Sequence, residues 1–247
     1  VGDGEWASVI DPLLIDLYPR DHVVDWPTYM TAGPPWHGAF FKLTQGLDYE
    51  YSGWAHAQRA HLFASKRYGD DLFDGFYHFL TLDQDGAVQA ERFWLYLTKV
   101  GGERAGTLPA MVDVERGGQR HRVVPTRTGV EHITGAFALR YRQLSGKLAT
   151  LYGGELLRSL GIADRIGCGR SAVALYGPEL HGAGESTAQF LARTGTDLAH
   201  TMLWQYTAAE GAATGPTGYP REAPGVGRVD INAVILPGGL QAMRALL

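Results

Sequence analysis

Short apolar runs that close on a polar residue recur along this chain. The sharpest is Leu108-Pro109-Ala110-Met111-Val112-Asp113-Val114-Glu115. A run that is apolar at successive positions suits a strand buried on both faces, as in a parallel sheet. Side chains alternate along a strand, so Asp113 and Glu115 share one face, with Cα atoms about 6.6 Å apart. The same pattern predicts strands at 13–17, 38–44, 73–80, 148–152, 171–176, 200–206 and 229–235.

Between the strands the period changes. Residues 52–66 are helical in composition, with Trp54, Ala57, His61 and Ala64 near one stripe. Residues 83–100 repeat apolar side chains at Ala90, Phe93, Trp94 and Leu97 and stop at Gly101-Gly102. Thr128 and Glu131 predict a capping box, opening a helix with Val130, Ile133, Phe137, Tyr141 and Leu144 on its buried stripe and Gly146 at its end. Asp25-Trp26-Pro27 predicts a short helix or turn with Asp25 as N-cap. Residues 208–227 read as a long loop and 240–247 as a closing helix. Strands alternating with helices give an α/β class with a largely parallel sheet. Eight strands in 247 residues predict a single irregular (β/α) TIM-like barrel with some helices missing, one domain over 1–247.

Composition narrows the partners. The formal charge is -4 and the basic residues do not cluster, which argues against nucleic acid. Cys168 is the only cysteine, so no intrachain disulfide and no thiolate zinc cluster is expected. No apolar stretch is long enough to span a membrane, and residues 1–6 do not read as a signal peptide. Gly167-Cys168-Gly169-Arg170-Ser171-Ala172 imitates a dinucleotide fingerprint, but a strand is expected to follow it rather than a helix, so it is set aside.

In a β/α barrel the reactive groups come from the carboxyl ends of several strands. Here those ends offer Asp16 and Tyr18, Lys42, Tyr77 and His78, Asp113 and Glu115, Tyr152, Tyr176, Trp204 to Tyr206, and Asp230. Four carboxylates ringed by aromatics suit a sugar: rings stack on apolar sugar faces, and carboxylates bond hydroxyl and acetamido groups. Clustered carboxylates repel, so at least one should hold its proton and be able to give it to a leaving oxygen. That is the chemistry of glycoside hydrolysis, and it needs no metal or other cofactor. A solvated strand end before a turn would also read Asp-x-Glu, and aromatics at these positions could equally be barrel packing.

The chain resembles the family 25 glycoside hydrolases, the lysozymes that act as N-acetylmuramidases. Ile15-Asp16-Leu17 is similar to the family's first strand, and Phe41-Lys42-Leu43-Thr44-Gln45-Gly46 to its second. Gly75-Phe76-Tyr77-His78-Phe79, Gln89-Ala90 and Met111-Val112-Asp113-Val114-Glu115 follow in the family's order, then Leu203-Trp204-Gln205-Tyr206 and Val229-Asp230-Ile231-Asn232. The resemblance implies that Glu115 is the general acid. It implies that Asp113 stabilises an acetamido-assisted intermediate or acts as nucleophile, with net retention. Asp16 and Asp230 would complete the acidic ring and bind substrate, while Tyr77, Trp204 and Tyr206 would shape the sugar groove. The implied partner is the glycan of peptidoglycan, met by a monomer at the bacterial cell wall. The chain departs from the family pattern at Tyr18-Pro19-Arg20, at Gln45, and in the basic segment 120–127. Two other readings stay open: a glycan-binding barrel without catalysis, and a chitinase-like glycosidase, although the longer Asp-rich motif of the latter is absent from 108–112.

Overall fold

The computed structural model describes residues 11–19, 24–32, 36–65, 72–104, 107–116, 123–162, 166–175, 186–207 and 219–247. Strands β1 (Leu13–Leu17), β2 (Trp36–Gln45), β3 (Tyr49–Glu50), β4 (Phe73–Phe79), β5 (Met111–Val114), β6 (Thr150–Gly153), β7 (Arg170–Ala174), β8 (Thr201–Gln205) and β9 (Asp230–Val234) lie in one sheet. Helices α1 (Trp26–Thr31), α2 (Ser52–Ala64), α3 (Gly86–Lys99), α4 (Arg127–Ser145), α5 (Glu155–Ser159), α6 (Thr187–Arg193) and α7 (Gly239–Arg244) join them. The sheet runs β1-β9-β8-β7-β6-β5-β4-β2, with β3 appended to β2, and a β1–β2 pairing closes it into an eight-stranded barrel.

The pairings from β1 through β2, β4, β5, β6 and β7 to β8 are parallel, as the sequence pattern predicts. The last strand differs. β9 is antiparallel to both β1 and β8. Its starting residue, Asp230, therefore reaches the rim where the other strands end, in register with Asp16.

Strand alternation sorts the side chains into two apolar layers. Leu14, Phe40, Tyr77, Met111, Tyr152, Ala172 and Leu203 fill the barrel interior, and Met243 of α7 packs on them from the end opposite Asp230. Their strand neighbours Ile15, Phe41, Phe76, Val112, Leu151 and Val173 belong to the outer layer beneath the helices. Gly75 keeps the interior closed: a Cβ there would stand 2.3 Å from the Phe40 ring.

The helices correct two expectations. α4 is capped by Thr126, whose side chain accepts from the Gly129 amide at 3.2 Å, so Thr128 lies inside the first turn and Glu131 instead pairs with Arg127. Three of the four residues expected on the α2 stripe are turned outward: Ala57, His61 and Ala64 are exposed, while Trp54 packs half-buried on the core and Ala55 and Leu62 are buried. Arg59 on that inner side carries the reason, a 2.6 Å ion pair with buried Asp74 of β4. α5 and α6 are short, five and seven residues, in keeping with a barrel whose connections do not all hold full helices, and a capping box of Ser186 and Gln189 starts α6. The stop of α4 at Gly146, which has φ 73°, and the start of α1, where the Asp25 side chain accepts from the Thr28 amide, fall as expected.

Candidate active site

The rim at the carboxyl ends of the parallel strands collects the acids. β5 delivers Asp113 and, one step past its end, Glu115; β1 delivers Asp16, and the reversed β9 delivers Asp230. The four are electrostatically in touch: Asp113 feels Glu115, Asp16 and Asp230, each opposing its ionisation. Asp113 is buried, and its Oδ1 has no hydrogen-bond partner among the described residues.

Burial, first, and then these negative neighbours push the Asp113 carboxyl well above the usual carboxylate range. Burial likewise raises Glu115. Lys42 pulls both down. The two carboxyls act as a coupled pair that holds a proton more readily than exposed acids do.

Lys42 projects into the barrel from β2 and is buried. Its ammonium lies 4.7 Å from the Phe79 ring centroid, 5.0 Å from Tyr18, and 6.0 Å from both Tyr51 and Tyr77. The π faces compensate part of its lost hydration. A lysine in an apolar run is therefore a pocket residue here rather than an edge residue. Sequence reasoning missed Phe79 and Tyr51 at the site; the alternation Phe73, Gly75, Tyr77, Phe79 along β4 was the signal for the first.

Tyr152 also points inward. Its hydroxyl donates to Gln205 Oε1 at 2.6 Å, and Gln205 Nε2 donates to the Thr207 carbonyl. Burial and then the charge of Glu115 and Asp113 raise the Tyr152 phenol, so it stays a neutral donor. Gln205, within the strand end 204–206, and the fully buried Asn232 pair in register on β8 and β9 and are interior polar residues to which the sequence pattern gives no role. Both Asn232 amide atoms lack a partner among the described residues. Their parity with Leu203 and Asp230 was legible.

Two expected groove residues are elsewhere. Trp204 is fully buried on the outer face of β8, where its Nε1 donates to the Leu175 carbonyl and its ring packs 5.2 Å from Phe190 of α6. Tyr206 has the same parity and is also fully buried; its hydroxyl donates to the Pro220 carbonyl. Side-chain alternation explains both: Gln205 takes the inward position between them. Tyr176 lies outside the described residues. His78 also faces outward, held by Thr44, Gln89 and the stacked Phe137 ring, and burial drops its pKa to about 3, which makes it a packing residue.

Among the described residues no group of three or more His, Cys, Asp or Glu is placed to hold a metal ion. Burial raises the Cys168 thiol to about 12, so it is a poor nucleophile. No helix of the described residues is long and apolar enough to cross a membrane.

Solved structures share this architecture. The lysozyme from Streptomyces coelicolor aligns over 96% of this chain and 97% of its own, with TM-score 0.67 and 21% identity. A muramidase from Trichobolus zukalii gives 0.66 at 19% identity over 95% and 98% of the two chains. A family GH25 lysozyme from Aspergillus fumigatus gives 0.66 at 16% identity over 95% and 98%. At such identities the likeness establishes the fold. No curated protein matches the chain in sequence. The family described as Glycosyl hydrolases family 25 matches residues 15–213, which runs from within β1 through β8 and includes the Asp113–Glu115 pair. This chain belongs to glycosyl hydrolase family 25.

Proposed function

We propose that this protein is a lysozyme that cleaves the β-1,4 bond from N-acetylmuramic acid to N-acetylglucosamine in peptidoglycan, with net retention. One observation carries the reading: Asp16, Asp113, Glu115 and Asp230 meet at one rim of the barrel, with Asp113 and Glu115 both hard to ionise. The solved structures of similar fold are described as lysozymes and muramidases, which favours a wall glycan over chitin.

Glu115 gives its proton to the glycosidic oxygen as the bond to the sugar C1 breaks. Positive charge then develops at C1 and on the ring oxygen. The carbonyl oxygen of the 2-acetamido group attacks C1 from the opposite face, and Asp113 accepts a hydrogen bond from the acetamido N–H and stabilises the cation formed. In the alternative, Asp113 itself bonds to C1. Water, losing its proton to the Glu115 carboxylate, opens either intermediate from the original face, which restores the starting configuration. Asp16 and Asp230 accept hydrogen bonds from sugar hydroxyls, Tyr77 supplies a ring face, and Tyr152 and Lys42 set the electrostatics beneath the sugar. The catalytic unit is the single barrel over 1–247, acting as a monomer on the cell wall.

The test is turbidity loss of purified bacterial walls. Glu115→Gln should lose at least about a hundredfold in rate with an unchanged circular dichroism spectrum. Full activity in that variant removes Glu115 from the acid role. Appearance of the inverted anomer by NMR in the first product rejects both retaining routes. Mass spectrometry should identify N-acetylmuramic acid at the new reducing end.

A further inference from the structure

Beneath the acid rim lies a polar floor that the proposed chemistry leaves unused. Asn232 follows Asp230 by two positions along β9, on the same inward face, and is fully buried. Its chain neighbours Ile231 and Ala233 belong to the outer apolar layer, and Val234 to the inner one. Leu14 of β1 and Gln205 of β8 are its register partners on either side.

Asp113 is in turn the register partner of Tyr152. The 2.6 Å bond from the Tyr152 hydroxyl to Gln205 Oε1 joins the two pairs across β7. A chain of interior polar groups therefore runs from the acid on β5 to the amide on β9. Its two ends hold the orphaned atoms. Among the described residues, Asp113 Oδ1 and both Asn232 amide atoms are buried without a hydrogen-bond partner. A buried amide unpaired at both atoms is costly, so the position calls for a ligand. The donor set says which. Asn232 presents an N–H donor and a carbonyl acceptor side by side, and the Asp113 carboxylate presents an acceptor. A cation would be repelled by the N–H end, and an anion by the carboxylates above. A sugar hydroxyl cannot reach an amide with no exposed surface. Water donates and accepts at once, and a buried water takes about three such partners.

We propose that Asn232 is a positioning residue for the acid pair, acting through ordered water held between its amide, the Tyr152–Gln205 link and the underside of Asp113. The effect on catalysis rests on the muramidase reading; the water site does not. The water accepts from Asn232 Nδ2 and donates to Asp113 Oδ1, which favours the ionised carboxylate that a retaining route needs. The other titratable groups on the inward face around Asp113 are Glu115 of its own strand, Asp16, Lys42, Tyr77, Tyr152 and Asp230. Lys42 alone of these is a cation, and the water adds a neutral donor from β9 to its pull.

The test begins with a crystal structure of the full wild-type chain at a resolution that defines solvent. It should show ordered water bonded to Asn232 and linked, directly or through one further water, to Asp113 Oδ1. An Asn232 amide without that water overturns the proposal. The pH–rate profile on soluble peptidoglycan fragments then separates positioning from packing. Asn232→Val deletes both polar atoms, and Asn232→Thr has the same shape with a hydroxyl restored. Asn232→Val should move the acidic limb up by about one pH unit, and Asn232→Thr should return it most of the way. Equal shifts in the two variants, or none in either, overturn the positioning role. If Asn232→Val does not fold, the wild-type electron density decides alone. Absence of wild-type turnover sinks the muramidase reading, and the density then still shows whether the amide holds water.

Discussion

The ammonium of Lys42 stands 4.7 Å from the centroid of the Phe79 ring, and Phe79 is the register partner of Asp113 across β4 and β5. The cation is therefore buried next to the acids it influences rather than dispersed in solvent, where screening would weaken it. It pulls Asp113 and Glu115 down against the upward push of burial. Removing the cation leaves only the upward push. Lys42→Met keeps an unbranched chain among the four rings and deletes the charge. Both limbs of the pH–rate profile should then move to higher pH, with kcat/KM falling several-fold on the acid side. A profile that moves down or stays in place shows that Lys42 does not set the protonation of the pair.

The same burial makes Asp113 a liability to the fold. Below about pH 4 the carboxyl is protonated in both the folded and the unfolded chain, and its charge contributes nothing. As pH rises, the unfolded chain releases the proton first, because the folded-state pKa is raised. The folded state then holds more protons, so stability falls with rising pH through that window. Asp113→Asn removes the buried charge. It should be more stable than wild type near neutrality by about 1–4 kcal/mol, and the gain should vanish in acid. Urea titrations at pH 4 and pH 7 measure it; an equal gain at both values would mean that the charge is not the cause.

Trp204 and Tyr152 give a paired test of inward against outward. Trp204→Phe should lower stability by roughly 1–3 kcal/mol through lost packing on Phe190 and the lost bond to the Leu175 carbonyl, with KM and kcat unchanged. Tyr152→Phe, which frees Gln205 Oε1 under the acids, should change kcat more than stability. Steady-state kinetics beside thermal denaturation separate the two. A KM effect of Trp204→Phe would return that residue to the groove.

That contrast also marks how far the sequence could be read. The barrel was legible because the apolar runs are long and their polar ends regular, and the Asp113–Glu115 pair because an interval of two fixes a shared face. Period two was available on β8 as well, where it assigns Gln205 inward and Trp204 outward, yet a strand buried on both faces has no apolar–polar alternation to say which parity is which. Asp230 is the opposite case. It was placed on the rim through a strand assumed to run with the others, and the rim position holds because β9 runs against them and offers its first residue instead. Pairing direction is a long-range property that no local pattern encodes. The short helix α6 did leave a local trace, since Ser186 and Gln189 have the spacing of a capping box, but seven residues are too few for a helical stripe to stand out.

The close approach of α3 and α4 supplies the last prediction. Gly86 opens α3 immediately after its cap Asp85, and a Cβ built on it would stand 2.0 Å from the Ile133 carbonyl oxygen of α4. That neighbour is backbone within a nineteen-residue helix, so it cannot swing aside as a side-chain tip could. Gly86→Ala must push the two helices apart, which loosens Phe93 against Phe137 and, through Phe137, the stacked ring of His78. A loss of about 2–4 kcal/mol is expected, larger than the gain that alanine normally brings to a helix position. At Gly53, near the start of α2, an added Cβ would meet nothing within 4 Å, and Gly53→Ala should be neutral or slightly stabilising. Equal responses of the two variants in urea denaturation would show that the α3–α4 contact is not tight at Gly86.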